Sequence, residues 1–276
     1  MRRAFDGFLA VGAGLALAFL LLPILALFVR ISPADLVDAL WSDAALDALW
    51  VSVKTGLIAH FFVLVVGTPA AYFLATRRFR GRGVLVTLVE LPLVLPPAVA
   101  GIALLALFSR RGLLGEQLDA LGIQLPLTQA AVVIAVAFVA APFYVRQAIA
   151  SFETVDRTLI DASRTLGASP GRTFWRVALP LSATGLGAGS ALAWARGTGE
   201  FGATIMFAGS LQGVTQTMPL AIYAQLDLNP DVAVAIGALL VLVSLTVLLS
   251  VKLLPSWTRF TSASLIRSAP SGSSSS

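Results

Sequence analysis

The chain has 276 residues, of which 58% are apolar and 12% are charged, and its mean hydropathy is +0.90. Soluble domains are about one-quarter charged, so this composition indicates an integral membrane protein. The lack of cysteine excludes a disulfide framework, a thiolate metal site and a cysteine nucleophile. The net charge of +5 does not indicate nucleic-acid binding, because the basic residues lie mainly at the ends of apolar segments.

The first apolar run, residues 8–29, follows the basic start Met1-Arg2-Arg3. Ala16-Leu17-Ala18 resembles a signal-peptide cleavage site, but the run stays apolar for about ten residues beyond it, further than an h-region extends. We therefore predict a retained first membrane helix, since about 20 residues cross the hydrocarbon. Residues 32–47 are acidic and contain tryptophan, which is typical of an interfacial segment on the outer surface.

A second span is predicted over residues 50–75, and the basic cluster 77–82 follows it. Such a cluster marks the cytoplasmic side of a membrane, and a lipid-headgroup site is its alternative role.

The third span, about residues 84–108, contains Glu90 and three prolines within six residues, Pro92, Pro96 and Pro97. Each proline lacks an N–H and clashes with the preceding turn, so a regular helix is excluded here. Broken backbone at membrane depth is tolerated where protein buries it or where it lines a water-filled cavity. We interpret this span as lining a transport path, and a kinked packing helix is the alternative.

Three further spans are predicted at residues 129–150, 181–208 and 231–254. An outer loop at 109–128 precedes the first of them, and a second outer loop at 209–230 separates the last two. The fifth span is rich in glycine, which lets membrane helices approach closely and also softens the helix. The low-complexity tail at 271–276 is predicted to be disordered.

Six spans place both termini on the same side of the membrane. Fourteen of the 19 lysine and arginine residues then lie inside, four lie outside, and Arg196 lies within the membrane. The positive-inside rule therefore predicts that both termini, and the central loop at 151–180, are cytoplasmic. We divide the chain into residues 1–47 (first helix and interfacial segment), 48–255 (transmembrane core) and 256–276 (cytoplasmic tail).

The central loop is polar and helical in character. Its apolar residues recur every three or four positions and predict one narrow stripe: Val155, Leu159, Ala162 and Leu166. Gly167 is typical of a residue that ends a helix, and Ser169-Pro170 of one that begins the next. A helix–turn–helix in a membrane protein's loop favours docking on a partner, and a solvated connector is the alternative.

The segment from Asp161 to Ala168, with Phe174 and Leu179-Pro180 after it, resembles the EAA loop of ABC-importer permeases. Asp161 stands where that family usually has Glu, and Ser163 where it often has Ala, while the spacing is otherwise intact. The resemblance implies that this loop docks on an ATPase through Asp161, Ala162, Ser163, Leu166, Gly167 and Ala168.

Arg196 and Glu200 lie four residues apart in the fifth span, so they share one helical face and can pair. A central charge costs about 2.5–3.5 kcal/mol on membrane-insertion scales, so such a pair usually faces protein or water. A structural ion pair and a gate are both open interpretations. Direct carriage of an anion on Arg196 is disfavoured, because Glu200 already neutralises it.

Two further segments, GEFGATIMFAG at 199–209 and TQTMPLAIY at 215–223, resemble molybdate-type permeases, and PLVLPPAVAG at 92–101 resembles both the molybdate and the sulfate types. Thr198 and Val214 depart from the usual residues of that family. The resemblance covers about residues 50–254 and implies an all-α ABC type-1 transmembrane domain with six membrane helices. Our candidates for the translocation path or gate are Glu90, Pro92, Pro96, Pro97, Arg196, Glu200, Phe201, Gly202 and Thr204.

The implied function is that of the inner-membrane permease of an ABC importer for molybdate, with sulfate, thiosulfate and tungstate as alternative oxyanions. The implied partners are a second copy of the chain, two cytoplasmic ATPase subunits, an extracytoplasmic oxyanion-binding protein and membrane lipid, and no nucleic acid. ATP and Mg²⁺ would be used by the ATPase, and no cofactor is expected on this chain.

The residues themselves carry no catalytic pattern. No P-loop, G-x-S-x-G or H-E-x-x-H sequence occurs, and the one histidine, His60, lies inside the second span, where a packing role is expected. We therefore predict no enzyme activity and no metal site. A self-contained channel or membrane enzyme is the rival class. A channel needs no docking loop, and an enzyme needs more titratable groups than Glu90, Arg196 and Glu200.

Overall fold

The computed structural model describes residues 2–30 and 32–267. Within these residues the regular secondary structure is helical, without strands, as predicted. A helix satisfies all its backbone hydrogen bonds within one segment, which suits a chain this apolar to lipid. The predicted disordered tail at 271–276 lies outside the described residues.

The helices form two compact units, residues 1–52 with 210–242 and residues 53–209 with 243–276. The first unit contains α1 (Arg2–Arg30), α2 (Pro33–Leu40), the start of α3 (Asp43–Thr76), α12 (Met218–Leu226) and the start of α13 (Pro230–Arg267). Its core combines small side chains, among them Ala39, Ala45, Ala48 and Ala221, with the larger Met218 and Ile236.

The second unit is built around α7 (Gln129–Glu153), which α10 (Leu179–Thr198), α4 (Arg82–Val94) and α11 (Gly202–Ala208) contact. α5 (Pro97–Phe108) packs mainly against α11. The remaining elements are short: α6 (Gly115–Ala120), α8 (Arg157–Thr165) and α9 (Pro170–Thr173). α7 is thus the element on which the parts of this unit are assembled.

In the described part of the chain, five helical segments are long and apolar enough to cross a membrane: 5–30, 43–76, 129–153, 170–198 and 230–250. The pair α4 and α5 passes the same test together, and counting it as one span gives the predicted number of six. Residues 32–47 and 209–230, predicted to lie outside the spans, contribute α2 and α12.

The third span is broken as its prolines predict. The axes of α4 and α5 differ in direction by 114°. Leu95 and Pro96 are extended between the two helices, and Pro97 is the first residue of α5, where its missing N–H leaves no helical bond unmade.

The fifth span differs from the single helix predicted over 181–208. A π-helical turn (Phe174–Ala178) joins α9 to α10, and the helix stops at Thr198 before α11 begins at Gly202. Glycine at positions 197 and 199 weakens the helix where it ends. The carboxylate of Glu200 then starts α11 by accepting a hydrogen bond from the N–H of Ala203.

Close backbone approach holds α5 against α11. A Cβ atom on Gly101 would lie 2.6 Å from Met206 Cβ and 2.8 Å from the carbonyl oxygen of Ala203. The second neighbour is backbone and cannot rotate away. Glycine at this position is therefore required by the packing of the two helices.

We predict that Gly101→Ala destabilises the protein, because overpacking of a close contact costs about 1–3 kcal/mol. Gly187→Ala in α10 is the matched control, since a Cβ there meets no atom within 4 Å. Alanine is the better helix former by about 0.5–1 kcal/mol, so the control should be neutral or stabilising. Thermal unfolding in detergent measures both, and equal unfolding temperatures for the two variants would contradict the packing described here.

Candidate functional site

The central loop at 151–180 contains a helix, α8, that is capped at its start. Asp156 precedes α8, and its Oδ1 accepts a hydrogen bond of 2.9 Å from the N–H of Thr158. Hydrogen bonds from the backbone and the hydroxyl of Thr158 hold the pKa of the Asp156 carboxyl below its ordinary value. A charged cap also complements the helix dipole, so the start of α8 is fixed by local sequence.

The end of α8 follows the prediction from Gly167. This residue has φ +81°, its N–H bonds Arg164 O, and the N–H of Ala168 bonds Ser163 O. These two bonds form a Schellman motif, which favours glycine at the left-handed position. The next helix begins as predicted, with Ser169 accepting a hydrogen bond from the N–H of Arg172.

One side-chain contact links the two short helices. The hydroxyl of Ser163 lies 3.1 Å from that of Thr173, which is fully buried. Ser163, the residue that departs from the family's usual alanine, therefore contributes a hydrogen bond within the loop.

The predicted apolar stripe on α8 is largely uncovered. Val155 is buried ahead of the helix, whereas Leu159 and Ala162 are exposed and Leu166 has an exposed fraction of 88%. α8 has no buried residue at all. α8 therefore presents an exposed apolar stripe at the surface of the described structure.

Asp161 lies on the other side of α8. At 3.6 residues per turn, Arg157, Ile160, Asp161 and Arg164 share one face, and the exposed apolar stripe occupies the opposite face. All four line a cavity beneath the helix. The role of Asp161 and its neighbours in docking stays a prediction.

The structure brings together the candidate gate residues of the third and fifth spans. A Cβ on Gly202 would lie 2.7 Å from Pro97 Cβ and 3.1 Å from the backbone nitrogen of Ala98. The first turn of α11 thus rests on the first turn of α5, immediately after both chain breaks. Pro96 and Phe201 are the residues that precede these two helices.

The predicted pairing of Arg196 with Glu200 is confirmed. Arg196 Nη2 lies 2.8 Å from Glu200 Oε2, and the exposed fractions of the two side chains are 28% and 1%. The other carboxylate oxygen, Oε1, accepts the 2.7 Å bond from Ala203 N. Glu200 therefore joins the end of α10 to the start of α11 through one buried carboxylate.

Thr204, a further gate candidate, is fully buried in α11. Its hydroxyl has no hydrogen-bond partner among the described residues. The role of Thr204 in a gate stays a prediction.

Glu90 is placed differently from the other candidates. Its carboxylate lies 3.4 Å from Arg146 Nε of α7, and neither side chain is buried. A second ion pair joins the start of α4 to the end of α7, where Arg82 is paired with Glu153. Arg82 also donates a 2.6 Å hydrogen bond to the carbonyl oxygen of Leu74. Sequence reasoning missed both pairs, because no local spacing links residues of α4 to residues of α7.

His60 has the packing role expected from the sequence. Its Nε2 shares a 2.8 Å hydrogen bond with the hydroxyl of Ser190, and its ring meets the edge of Trp194 at a centroid distance of 5.3 Å. These contacts tie α3 to α10.

Comparison with known families identifies the chain. The model of the family described as binding-protein-dependent transport system inner membrane component matches residues 67–271. The chain belongs to this family. The permease resemblance of the docking loop and of the third and fifth spans is thereby confirmed.

Two curated relatives cover nearly the whole chain. The molybdenum transport system permease protein ModB of Mycobacterium tuberculosis is 43% identical over 235 residues, which are 85% of this chain and 89% of that protein. The sulfate transport system permease protein CysT of Escherichia coli is 34% identical over 262 residues, 92% of this chain and 95% of that protein.

A solved structure has the same fold. A chain of a bacterial ABC transporter involved in the import of the acidic polysaccharide alginate matches with a TM-score of 0.71 and 16% identity, over 91% of this chain and 94% of that one. At this identity the likeness is one of fold. It confirms the predicted type-1 transmembrane architecture.

We predict that neutralising one partner of the Arg196–Glu200 pair destabilises the protein and that neutralising both restores most of the loss. Removing one partner of a buried pair costs about 3–5 kcal/mol. Arg196→Gln should lower the unfolding temperature more than Glu200→Gln, because it leaves the more deeply buried charge, that of Glu200, without its partner. Unfolding temperatures of the single and double variants measure this order.

The exposed Arg110–Asp119 pair, 3.6 Å apart, is the matched control. Replacing both of its charges by amides should change stability by less than about 1 kcal/mol. Equal stability of all Arg196 and Glu200 variants would contradict a coupled buried pair. Transport by the stable double variant separates the roles: we expect it to stay low, and full transport would assign the pair to packing alone.

Proposed function

We propose that the chain is the membrane-spanning permease subunit of an ATP-driven importer for molybdate. Family membership supplies the transporter class, and the relative of higher identity, at 43%, is named for molybdenum transport, whereas the sulfate relative is 34% identical. The segments at 199–209 and 215–223 support the same choice. Sulfate is the second candidate cargo, since that relative covers even more of this chain.

The observation that carries the proposal is the uncovered apolar face of α8. Leu159, Ala162 and Leu166 form a stripe that no described part of the chain buries. A soluble ATPase that received this stripe in a groove would bury it by the helix-in-groove mode, in which residues spaced by three and four positions act as anchors. The capped ends of α8 keep the helix formed before docking, which lowers the entropic cost of binding.

Energy for transport would come from the partner chain. We assign ATP and Mg²⁺ to the ATPase subunits and no catalytic residue to this chain, whose role is to convert their movement into opening and closing of a path. Such coupling is a free energy shared between two sites, the nucleotide state and the gate.

A physical route for this coupling runs through α7. Its last residue, Glu153, lies next to the start of α8 and is ion-paired with Arg82 at the start of α4. A second ion pair, Glu90 with Arg146, links the same two helices further along. Displacement of α8 would thus move α4, and the bend at Leu95–Pro96 lets α4 move without α5. We propose that the contact of α5 with α11 is the gate.

The assembly we propose has two copies of this chain, two ATPase subunits and an extracytoplasmic oxyanion-binding protein in the inner membrane. Both termini would be cytoplasmic, as the distribution of lysine and arginine supports. α1 supports assembly in the membrane, since its described apolar side chains are exposed on all sides and require lipid or another helix to cover them.

We predict that Leu166→Glu abolishes co-purification of the ATPase while the permease is still inserted in the membrane. A carboxylate in an apolar groove would lose its hydration without gaining a partner, so docking would weaken by more than about tenfold. Leu113→Glu is the matched control, because Leu113 is an equally exposed leucine in the predicted outer loop. Unchanged ATPase recovery with Leu166→Glu would contradict docking through this stripe.

The cargo is tested with the assembled transporter in proteoliposomes. We expect ATP-dependent uptake of labelled molybdate that requires the cognate binding protein, and at least tenfold less uptake of sulfate, a difference of about 1.4 kcal/mol. Preference for sulfate would favour the second candidate. ATP-independent flux would instead favour a channel.

A further inference from the structure

A cavity of about 450 Å³ lies beneath α8. It is enclosed by the end of α3, the segment leading into α4, the end of α7 and one face of α8, all within residues 53–209. It is separate from the docking stripe, because the two occupy opposite faces of α8.

Four arginines line this cavity from three different segments. Arg78 comes from the α3–α4 connection and Arg82 is the first residue of α4, whereas Arg157 and Arg164 come from α8, where they lie seven residues and two turns apart. The lining also contains two carboxylates, Glu153 and Asp161, so positive charge is in excess.

The excess charge is not neutralised within the described part of the chain. Glu153 is already committed to Arg82. No ion pair within the described residues engages Arg78, Arg157 or Arg164, and Asp161 is the one carboxylate left to face all three. Like charges gathered around a partly enclosed volume raise the local potential and attract an anion.

The type of side chain points to the ligand's chemistry. Guanidinium groups offer planar pairs of N–H donors that match the oxygens of a phosphate, and arginine is favoured over lysine wherever such recognition occurs. The lining also includes Tyr72 and Ile160, which provide apolar surface beside the charges. A ligand that carries both a phosphate and apolar carbon would contact both parts.

The cavity lies at the ends of two apolar helices. α3 ends at Thr76 and α7 at Glu153, and both helices are long and apolar enough to span a bilayer. Basic pockets between membrane helices on the cytoplasmic side are suited to anionic headgroups. We propose that this cavity binds phosphate, and that the phosphate belongs to an anionic phospholipid of the surrounding bilayer. The cytoplasmic placement rests on the proposed function.

A bound headgroup would connect α8 with the segment between α3 and α4 through shared contacts to one phosphate. Arg157 and Arg164 belong to the docking helix, whereas Arg78 and Arg82 belong to the segment entering the broken third span. One phosphate between them would hold α8 against the end of α3 and the start of α4. The lipid would therefore stabilise the docking helix in the position from which it moves α4.

The test uses the purified permease–ATPase complex, whose unfolding temperature is titrated with short-chain lipids. Dioctanoyl-phosphatidylglycerol should raise this temperature at concentrations at which dioctanoyl-phosphatidylcholine does not. The double variant Arg157→Gln with Arg164→Gln should weaken the apparent affinity by about 30-fold, the order expected for two basic residues near an anionic lipid. Arg78→Gln, on a different segment, should weaken it as well.

Arg172→Gln with Arg176→Gln is the matched control, because it removes the same charge from exposed residues of the same loop that do not line the cavity. This control should bind phosphatidylglycerol like the unaltered protein. Equal loss in the control, or equal binding of the two lipids, would overturn the site.

Inorganic phosphate and molybdate are titrated in the same unfolding experiment. An effect of either ion equal to that of phosphatidylglycerol at the same concentration would assign the cavity to a soluble anion and overturn the lipid as its occupant. This experiment measures lipid binding through the unfolding temperature and does not depend on transport. Its failure would therefore leave the proposed import function standing, and failed uptake by a complex that binds the lipid would count against that function alone.

Discussion

Backbone that is broken at membrane depth must be shielded by protein or exposed to a watery path, and this constraint shapes the second unit. The chain breaks twice there, at Leu95–Pro96 and at 199–201. Both breaks are followed by a helix, and those two helices pack on each other through Gly101 and Gly202. The lack of a side chain at the two glycines is what allows the broken segments to lie together.

The same contact explains the setting of the buried ion pair. Glu200 lies in the second break, where it caps α11 with one oxygen and neutralises Arg196 with the other. A carboxylate that is 1% exposed requires both interactions, because an unpaired charge is costly at such a position. The start of α11 and its ion pair with the end of α10 therefore depend on one carboxylate.

α8 presents two different surfaces, because neither of its two faces is buried by the rest of the described chain. One face carries the apolar stripe ending in Leu166, and the other carries the arginines of the cavity. A partner on one side and an anionic headgroup on the other would each bury what the chain itself leaves exposed. In the proposed assembly the short helix would lie between a soluble partner and the ends of the membrane helices, and the Arg82–Glu153 ion pair would extend that connection to α4.

The sequence by itself determined several features that depend on neighbours along the chain. The end of α8 at Gly167 and the cap at Ser169 follow from residues at most five positions apart, through the standard geometry of helix ends. Arg196 and Glu200 also pair over four positions, although the helix ends between them. The break in the third span follows equally from its prolines. These local rules, with the apolar segments, also suffice for the all-α fold and its spans.

Tertiary structure decided what lies between segments distant in sequence. The close approach at Gly101, the pairs of Glu90 with Arg146 and Arg82 with Glu153, and the turn of Asp161 toward a cavity have no local signal. The fifth span was predicted as one helix, because glycine there is compatible with either close packing or an interruption. The structure has the interruption, and the hydrogen bond from the N–H of Ala203 to the Glu200 carboxylate stabilises it. This N–H is free to bond the carboxylate only where a new helix begins.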